Sequence, residues 1–255
     1  MLKKRIIATI VVKDGIAVQS FSYKKWLPLG EPRCMAENFD RWGADEIVLL
    51  STDRAGKGPD FKLIQEISEL GLTTPLTYGG GIRNTEDAIK VINTGAERIV
   101  LDTLIFNKNF AINRIAEVIG IQAILASVPL IQTVDGSILH FNHLSKKVEP
   151  INSHLKRVFE RETISEIILI DKESEGSFNG FNENFIREIR KHTSIPILAF
   201  GGIFNIDQIS KLLLMNQVSG ILIGNSLNYR EHAIKQIKIK INSQQIRIHK
   251  VNSNN

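Results

Sequence analysis

The sequence predicts a (β/α)8 barrel, an α/β fold of eight strand–helix units closed on itself. Two observations lead there. Short β-branched runs alternate with longer helical patterns along all 255 residues, and the two halves of the chain repeat each other. Alternation of this kind builds a parallel sheet covered by helices, and eight such units need roughly 250 residues. A doubly wound open sheet is the competing fold, but no G-x-G-x-x-G follows the first strand.

Strands are expected at 5–12, 46–51, 75–78, 98–102, 122–128, 166–170, 196–200 and 220–224. Between them, 57–70, 84–94 and 205–216 carry apolar residues at helical spacing behind polar starts. The first strand is apolar from Ile6 to Val12 and ends in the polar turn Lys13-Asp14-Gly15. The stretch 17–32 that follows holds Tyr23, Lys24, Lys25 and Trp26; it is read as a loop that either closes over a ligand or covers unrelated surface. After the fifth strand, 131–148 reads as an inserted hairpin with Asp135-Gly136 as its turn.

The internal repeat is specific. "DEIVLLSTDRAGKGPD" at 45–60 returns as "SEIILIDKESEGSFNG" at 165–180, and "TPLTYGGGIRNTEDA" at 74–88 as "IPILAFGGIFNIDQI" at 195–209. Glu46 and Glu166 lie 120 positions apart, Gly79 and Gly201 lie 122 apart. A near-constant offset implies two half-barrels of four units each. No Pro- or Ser-rich linker separates them, so 1–255 is read as one domain with a basic tail over 235–250.

Composition excludes several classes. Apolar residues at 43% suffice for a core, and 23% charged residues suit a soluble surface. The single Cys34 forms no internal disulfide, which fits a reducing compartment. No apolar run approaches the ~18–20 residues that span a bilayer. The start lacks a small-residue cleavage site, so the expected location is the cytoplasm. The net charge of +5 comes without basic patches interleaved with aromatics, which argues against nucleic acid; an anionic small molecule or an acidic partner surface fits better. His140, His143, His154, His192, His232 and His249 show no metal-ligand spacing, and no G-x-S-x-G, Walker loop or HExxH is present. Neither a metal nor a cofactor is expected.

In such a barrel the chemistry sits at the C-terminal ends of the strands, and glycines gather there. Gly79-Gly80-Gly81, Gly201-Gly202 and Gly224-Asn225-Ser226 follow the third, seventh and eighth strands. Such turns bring free N–H groups close to a ligand, and phosphate is a natural guest. The repeat then suggests two phosphate sites on opposite sides of the mouth. The plainer alternative is that the glycines only make tight turns.

"MLKKRIIATIVVKDG", "GADEIVLL", "YGGGI", "GAERIVLDT", "EIILI" and "GGI" occur in this order. With them the chain resembles, over essentially its whole length, the cyclase subunit of imidazole glycerol phosphate synthase, the HisF family. The resemblance implies a barrel with a bisphosphorylated ligand, held by Gly80, Gly81, Asp102 and Thr103 on one side and Gly176, Gly201, Gly202, Asn225 and Ser226 on the other. It also implies a glutaminase docked on the N-terminal face, where Glu97 lies. Ammonia would then travel up the barrel axis through a gate of Arg5, Glu46, Arg98 and Glu166. A structural salt-bridge layer at the barrel floor is the alternative use of those four charges.

The chain departs from the family where the cyclase has its acid–base pair. The two aspartates expected at the ends of strands one and five are Val11 and Pro129, and neither can move a proton. Ser51 replaces an aspartate, Gln19 a lysine, Asp102 an asparagine, Glu175 a shorter acid, and Arg98 a lysine. Catalytic residues are therefore unassigned, with Asp102, Asp171 and Glu175 as the carboxyl groups able to take over proton transfer. The related sugar isomerase of the same pathway also uses paired aspartates and is disfavoured equally. The resulting expectation is a HisF-like subunit that docks a HisH-like glutaminase. It would pass ammonia to an acceptor, such as a sugar handled by a surface-polysaccharide amidotransferase. The alternatives are the authentic cyclase and a binding module for a phosphorylated ligand.

Overall fold

A computed structural model describes residues 3–106, 111–151 and 163–241 and the single positions 156, 159 and 246. Twelve strands are present among them: β1 Arg5–Lys13, β2 Ile16–Phe21, β3 Lys25–Gly30, β4 Glu46–Ser51, β5 Leu76–Gly79, β6 Arg98–Leu101, β7 Ile124–Gln132, β8 Ile138–Asn142, β9 Lys147–Glu149, β10 Glu166–Asp171, β11 Ile197–Phe200 and β12 Val218–Ile223. Eight of these pair in parallel and close a barrel in the order β1, β4, β5, β6, β7, β10, β11, β12 and back to β1. The described helices are α1 Pro32–Arg41, α2 Phe61–Ser68, α3 Thr85–Thr94, α4 Thr103–Phe106, α5 Ala111–Ile119, α6 Asn184–Arg190, α7 Ile206–Leu214 and α8 Ala233–Ile241.

The strands are apolar on both faces because both faces are covered. Ile7, Val48, Val100, Leu125, Ile168, Leu198 and Leu222 point inward and fill the barrel. Their neighbours Ile6, Ile47, Ile99, Ile167 and Ile221 point outward into the layer under the helices. On α2, Leu63, Ile64 and Ile67 supply the buried stripe, and the Asp60 carboxylate caps the helix by accepting from Leu63 N at 3.2 Å.

The half-barrel repeat is visible in the turns. Asn84 and Asn205 both cap their helices, accepting from Asp87 N and Gln208 N. Gly80 and Gly201 have φ of 136° and 111°, and a Cβ on either would come within 2.4 Å of a strand-end carbonyl, that of Ser51 or Asp171. The equivalent turn residues are thus Gly80 and Gly201, and pairing Gly79 with Gly201 from sequence is one residue out of frame. Three successive glycines hide the frame; Gly79 is the last residue of β5, as Phe200 is of β11.

Two strands overrun the barrel. β1 turns at Asp14-Gly15, with φ of 51° and 77°, and pairs antiparallel with β2, which pairs with β3. The stretch read as a loop over 17–32 is therefore mostly a β-ribbon. β7 runs on to Gln132, beyond the expected 122–128, and pairs with β8, which pairs with β9. Most of the tail beyond Ile241 lies outside the described residues; Ile246 bridges Lys4. No described helix is long and apolar enough to cross a membrane.

Candidate functional site

Alternation along the strands places a charged residue at the inward-facing floor position of β1, β4, β6 and β10. Arg5 donates through Nη1 to Glu46 Oε2 at 2.8 Å and through Nη2 to Glu166 Oε1. Arg98 completes the square, with Nη1 3.3 Å from Glu46 Oε1 and Nη2 2.8 Å from Glu166 Oε2. Each carboxylate bridges both guanidiniums. Thr77 Oγ1 and Ser219 Oγ add donors to Glu46 and Glu166 at 2.5 and 2.6 Å. The Glu46 side chain is only 3% exposed, so its charge is tolerable only because its partners surround it. On the same end of the barrel, Glu97 is exposed and accepts from Leu76 N at 2.6 Å.

At the opposite end, Val11 and Pro129 occupy inward positions near the ends of their strands, and both are buried. Proline is tolerated at 129 because β7 has already passed the end of β6, whose last partner is Ala126. No acid stands at either position, so the mouth's titratable groups are those on neighbouring strands and loops.

Asp102 follows β6. Its Oδ2 lies 3.4 Å from Ser127 Oγ and 3.8 Å from His143 Nε2, while its Oδ1 is buried without a hydrogen-bond partner. Burial raises the Asp102 carboxyl to about 7, against the Ser127 hydrogen bond and the Lys146 charge, which act to lower it. His143 is held at about 4 by burial and by the nearby cations Lys146 and Lys172, so it is neutral at pH 7. Tyr23 packs edge-on against the His143 ring at 5.6 Å and touches the apolar barrel lining. Its phenol is pushed well above its ordinary value by burial, then by the Glu175 and Asp102 charges.

The other two carboxyl groups are engaged. Glu175 Oε2 accepts from Ser20 Oγ at 2.9 Å and from Tyr23 N at 3.1 Å, and its carbonyl accepts from Ser22 N at 2.9 Å. It latches the β2–β3 ribbon across the mouth, and burial raises its pKa. Asp171 faces away from the barrel interior and accepts from Ser174 N and Asn182 N at 3.0 and 2.9 Å, tying down the turn after β10. Burial raises Asp171 as well, offset by those amides. Of the three carboxyls, Asp102 alone keeps an oxygen that is fully buried without a hydrogen-bond partner.

The phosphate-turn residues separate into two groups. Gly176, Gly201, Gly202, Asn225 and Ser226, together with Val11, line a cavity of about 20 Å³. That is room for a water but not for phosphate while the ribbon is latched. Asn225 Nδ2 donates to Ser20 O at 2.7 Å, so this side chain fastens the ribbon instead of facing an empty site. Gly80, Gly81, Asp102 and Thr103 lie outside that cavity. Gly81, at φ 72°, packs against Gly58, and Thr103 begins α4 directly after Asp102.

Ser127 and His143 are part of the mouth although neither stands out in the sequence. Period-two alternation from Leu125 would have found Ser127 on the inner face. His143 had no comparable signal, because it comes from the β8–β9 turn. Among the described residues no group of three His, Cys, Asp or Glu is arranged to hold a metal ion.

Residues 5–233 match the sequence pattern of the family described as histidine biosynthesis protein. The chain is 27% identical over 241 residues to the imidazole glycerol phosphate synthase subunit HisF of Natranaerobius thermophilus, covering 93% of this chain and 95% of that one. It is 26% identical over 250 residues to a putative subunit hisF2 of Vibrio vulnificus, covering 97% and 92%. The HisF subunit of Staphylococcus epidermidis is 28% identical over 244 residues, covering 94% and 97%.

Proposed function

Because the chain belongs to the histidine biosynthesis protein family and is HisF-like over most of its length, we propose that it is the barrel subunit of a glutamine amidotransferase. In this reading it docks a HisH-like glutaminase on its N-terminal face, beside Glu97, and passes ammonia along the barrel axis to an acceptor at the other end. The observation that carries it is the contrast between the two ends. The floor keeps a closed four-charge ring, whereas the mouth has Val11 and Pro129 where a cyclase needs an acid and a base.

The barrel interior suits a small neutral passenger. Above the ring the lining is apolar, interrupted by the Thr9 hydroxyl, which is buried without a partner, and by Ser127. Ammonia crosses such a lining more cheaply than ammonium, whose charge would be desolvated. The acceptor in this proposal is an electrophile such as a sugar in surface-polysaccharide biosynthesis, handled by a partnering amidotransferase. The turns around Gly80, Gly81, Gly201, Gly202 and Ser226 would hold a phosphorylated ligand once the ribbon unlatches.

The second reading, the authentic cyclase, is favoured by the names of its relatives and by the free Asp102 oxygen. It would join ammonia to the phosphoribulosyl-formimino-aminoimidazole carboxamide ribotide and release imidazole glycerol phosphate plus the aminoimidazole carboxamide ribotide. Supplying the purified chain with ammonium salt and that ribotide, and following ribotide loss by absorbance, separates the two. The proposal expects no turnover; consumption at an ordinary cyclase rate would refute it. Co-expression with a HisH-like glutaminase should give a complex whose glutaminase activity rises on assembly. Absence of both complex and activation would leave a ligand-binding module.

A further inference from the structure

A second cavity, of about 460 Å³, opens outside the mouth between α8 and the loops that follow β10, β11 and β12. Three aromatic side chains line it. The rings of Phe178 and Phe204 meet edge to face at 5.3 Å, and Tyr229 stands 6.2 Å from Phe178 at a tilt of 48°. They remain 56, 41 and 56% exposed, an uncommon concentration of open aromatic surface. Exposed rings converging on one concave cavity are the lining expected of a small-molecule site.

The polar part of the lining has one sign. Arg230 and Lys240 reach the cavity, no carboxylate lines it, and neither cation is paired with an acid among the described residues. Two unpaired cations beside rings set at different angles select an anion that also carries a flat π-system. Rings bind such a system by stacking, which tolerates many bases, and the cations bind phosphate as point and fork charges. The volume falls in the range of small-molecule sites, about 300–1,000 Å³, and is far below what a folded partner would need. Ser226 and Phe178 also line the small mouth cavity, so the two spaces share a wall.

We propose that this cavity is a binding site for an aromatic anion of mononucleotide size, its ring stacked among Phe178, Phe204 and Tyr229 and its phosphate facing Arg230 and Lys240. The site is separate from the ammonia path and stands whether or not the proposed amidotransferase role is correct. A fatty acid would satisfy the cations but would not exploit ring faces.

The test is calorimetric titration of the full chain with 5′-AMP, adenosine and ribose 5-phosphate. Saturable AMP binding is expected, with adenosine and ribose 5-phosphate each weaker by about tenfold or more, since each lacks one half of the recognition. The double variant Phe178→Ala, Tyr229→Ala alters exposed side chains and should fold normally by circular dichroism while losing AMP affinity by about tenfold or more. The proposal is overturned if AMP shows no saturable binding up to about 10 mM. It also fails if the double variant binds AMP as well as the parent. Equal affinity for ribose 5-phosphate and AMP would overturn it too, by placing the anion in the mouth turns.

Discussion

Asp102 Oδ2 and His143 Nε2 stand 3.8 Å apart across the barrel mouth, brought together from the end of β6 and the β8–β9 turn. The distance is beyond a hydrogen bond; near neutrality His143, at about 4, is uncharged, while Asp102, at about 7, is partway through its titration. Asp102 thus puts a carboxyl that titrates near neutrality at a position for which the family resemblance implies a neutral asparagine.

That carboxyl makes stability fall with rising pH. The unfolded group ionises near 3.8 and the folded one near 7, so between these values the native state binds more protons. Stability from Asp102 is complete below the lower value and is lost as pH rises through the upper one. Asp102→Asn should remove this slope. Relative to the parent, it should gain ~1–3 kcal/mol in urea unfolding between about pH 5 and pH 8. His140 and His143, both held near 4, weaken the fold toward acid in either protein and largely cancel in the difference. A difference that does not change with pH would show that Asp102 is ionised throughout.

The floor ring should behave as one unit. Arg5 contacts both glutamates, so Arg5→Ala leaves Glu46 and Glu166 short of charge compensation inside the barrel and should cost ~3–5 kcal/mol. Arg98→Lys should cost less, since an ammonium can still reach a carboxylate, although it loses the fork that spans both. Thermal or urea unfolding measures both costs. In a reconstituted complex, the proposed gate predicts that Arg5→Ala also uncouples glutamine hydrolysis from ammonia delivery. Full coupling in that variant would leave the ring a purely structural layer.

Much of the scaffold was legible because it rests on local rules. Runs of Ile, Val and Leu marked the eight barrel strands, and the 120-residue spacing of Glu46 and Glu166 fixed their twofold arrangement. The ring's four members came from the family resemblance, and strand alternation agrees with it in facing Arg5 and Ile7 inward together. What escaped was decided by contacts distant in sequence. The ribbon of β2 and β3 lies over the mouth because Glu175, about 150 residues away, accepts from Ser20 and Tyr23. Its alternation is weakened by Lys24, Lys25 and Pro28, which made it read as a loop. The Asp102–His143 approach likewise depends on how two separate excursions fold toward each other.

The latch leads to the last prediction. Gly176 has φ of 76°, and a Cβ there would sit 1.8 Å from Ser20 O, a carbonyl that also accepts from Asn225 Nδ2. Neither the backbone conformation nor the space admits a side chain, so Gly176→Ala must push the ribbon away. The barrel itself closes without β2 and β3, and the strain should be relieved by releasing the ribbon, at a cost of ~1–3 kcal/mol, with the barrel left folded. Hydrogen exchange should then rise over residues 16–30 while β4, β5 and β11 stay protected. Glu175→Gln should release it less, because the amide keeps one acceptor for Ser20 or Tyr23. If Gly176→Ala leaves exchange over 16–30 unchanged, the ribbon is not held by this contact.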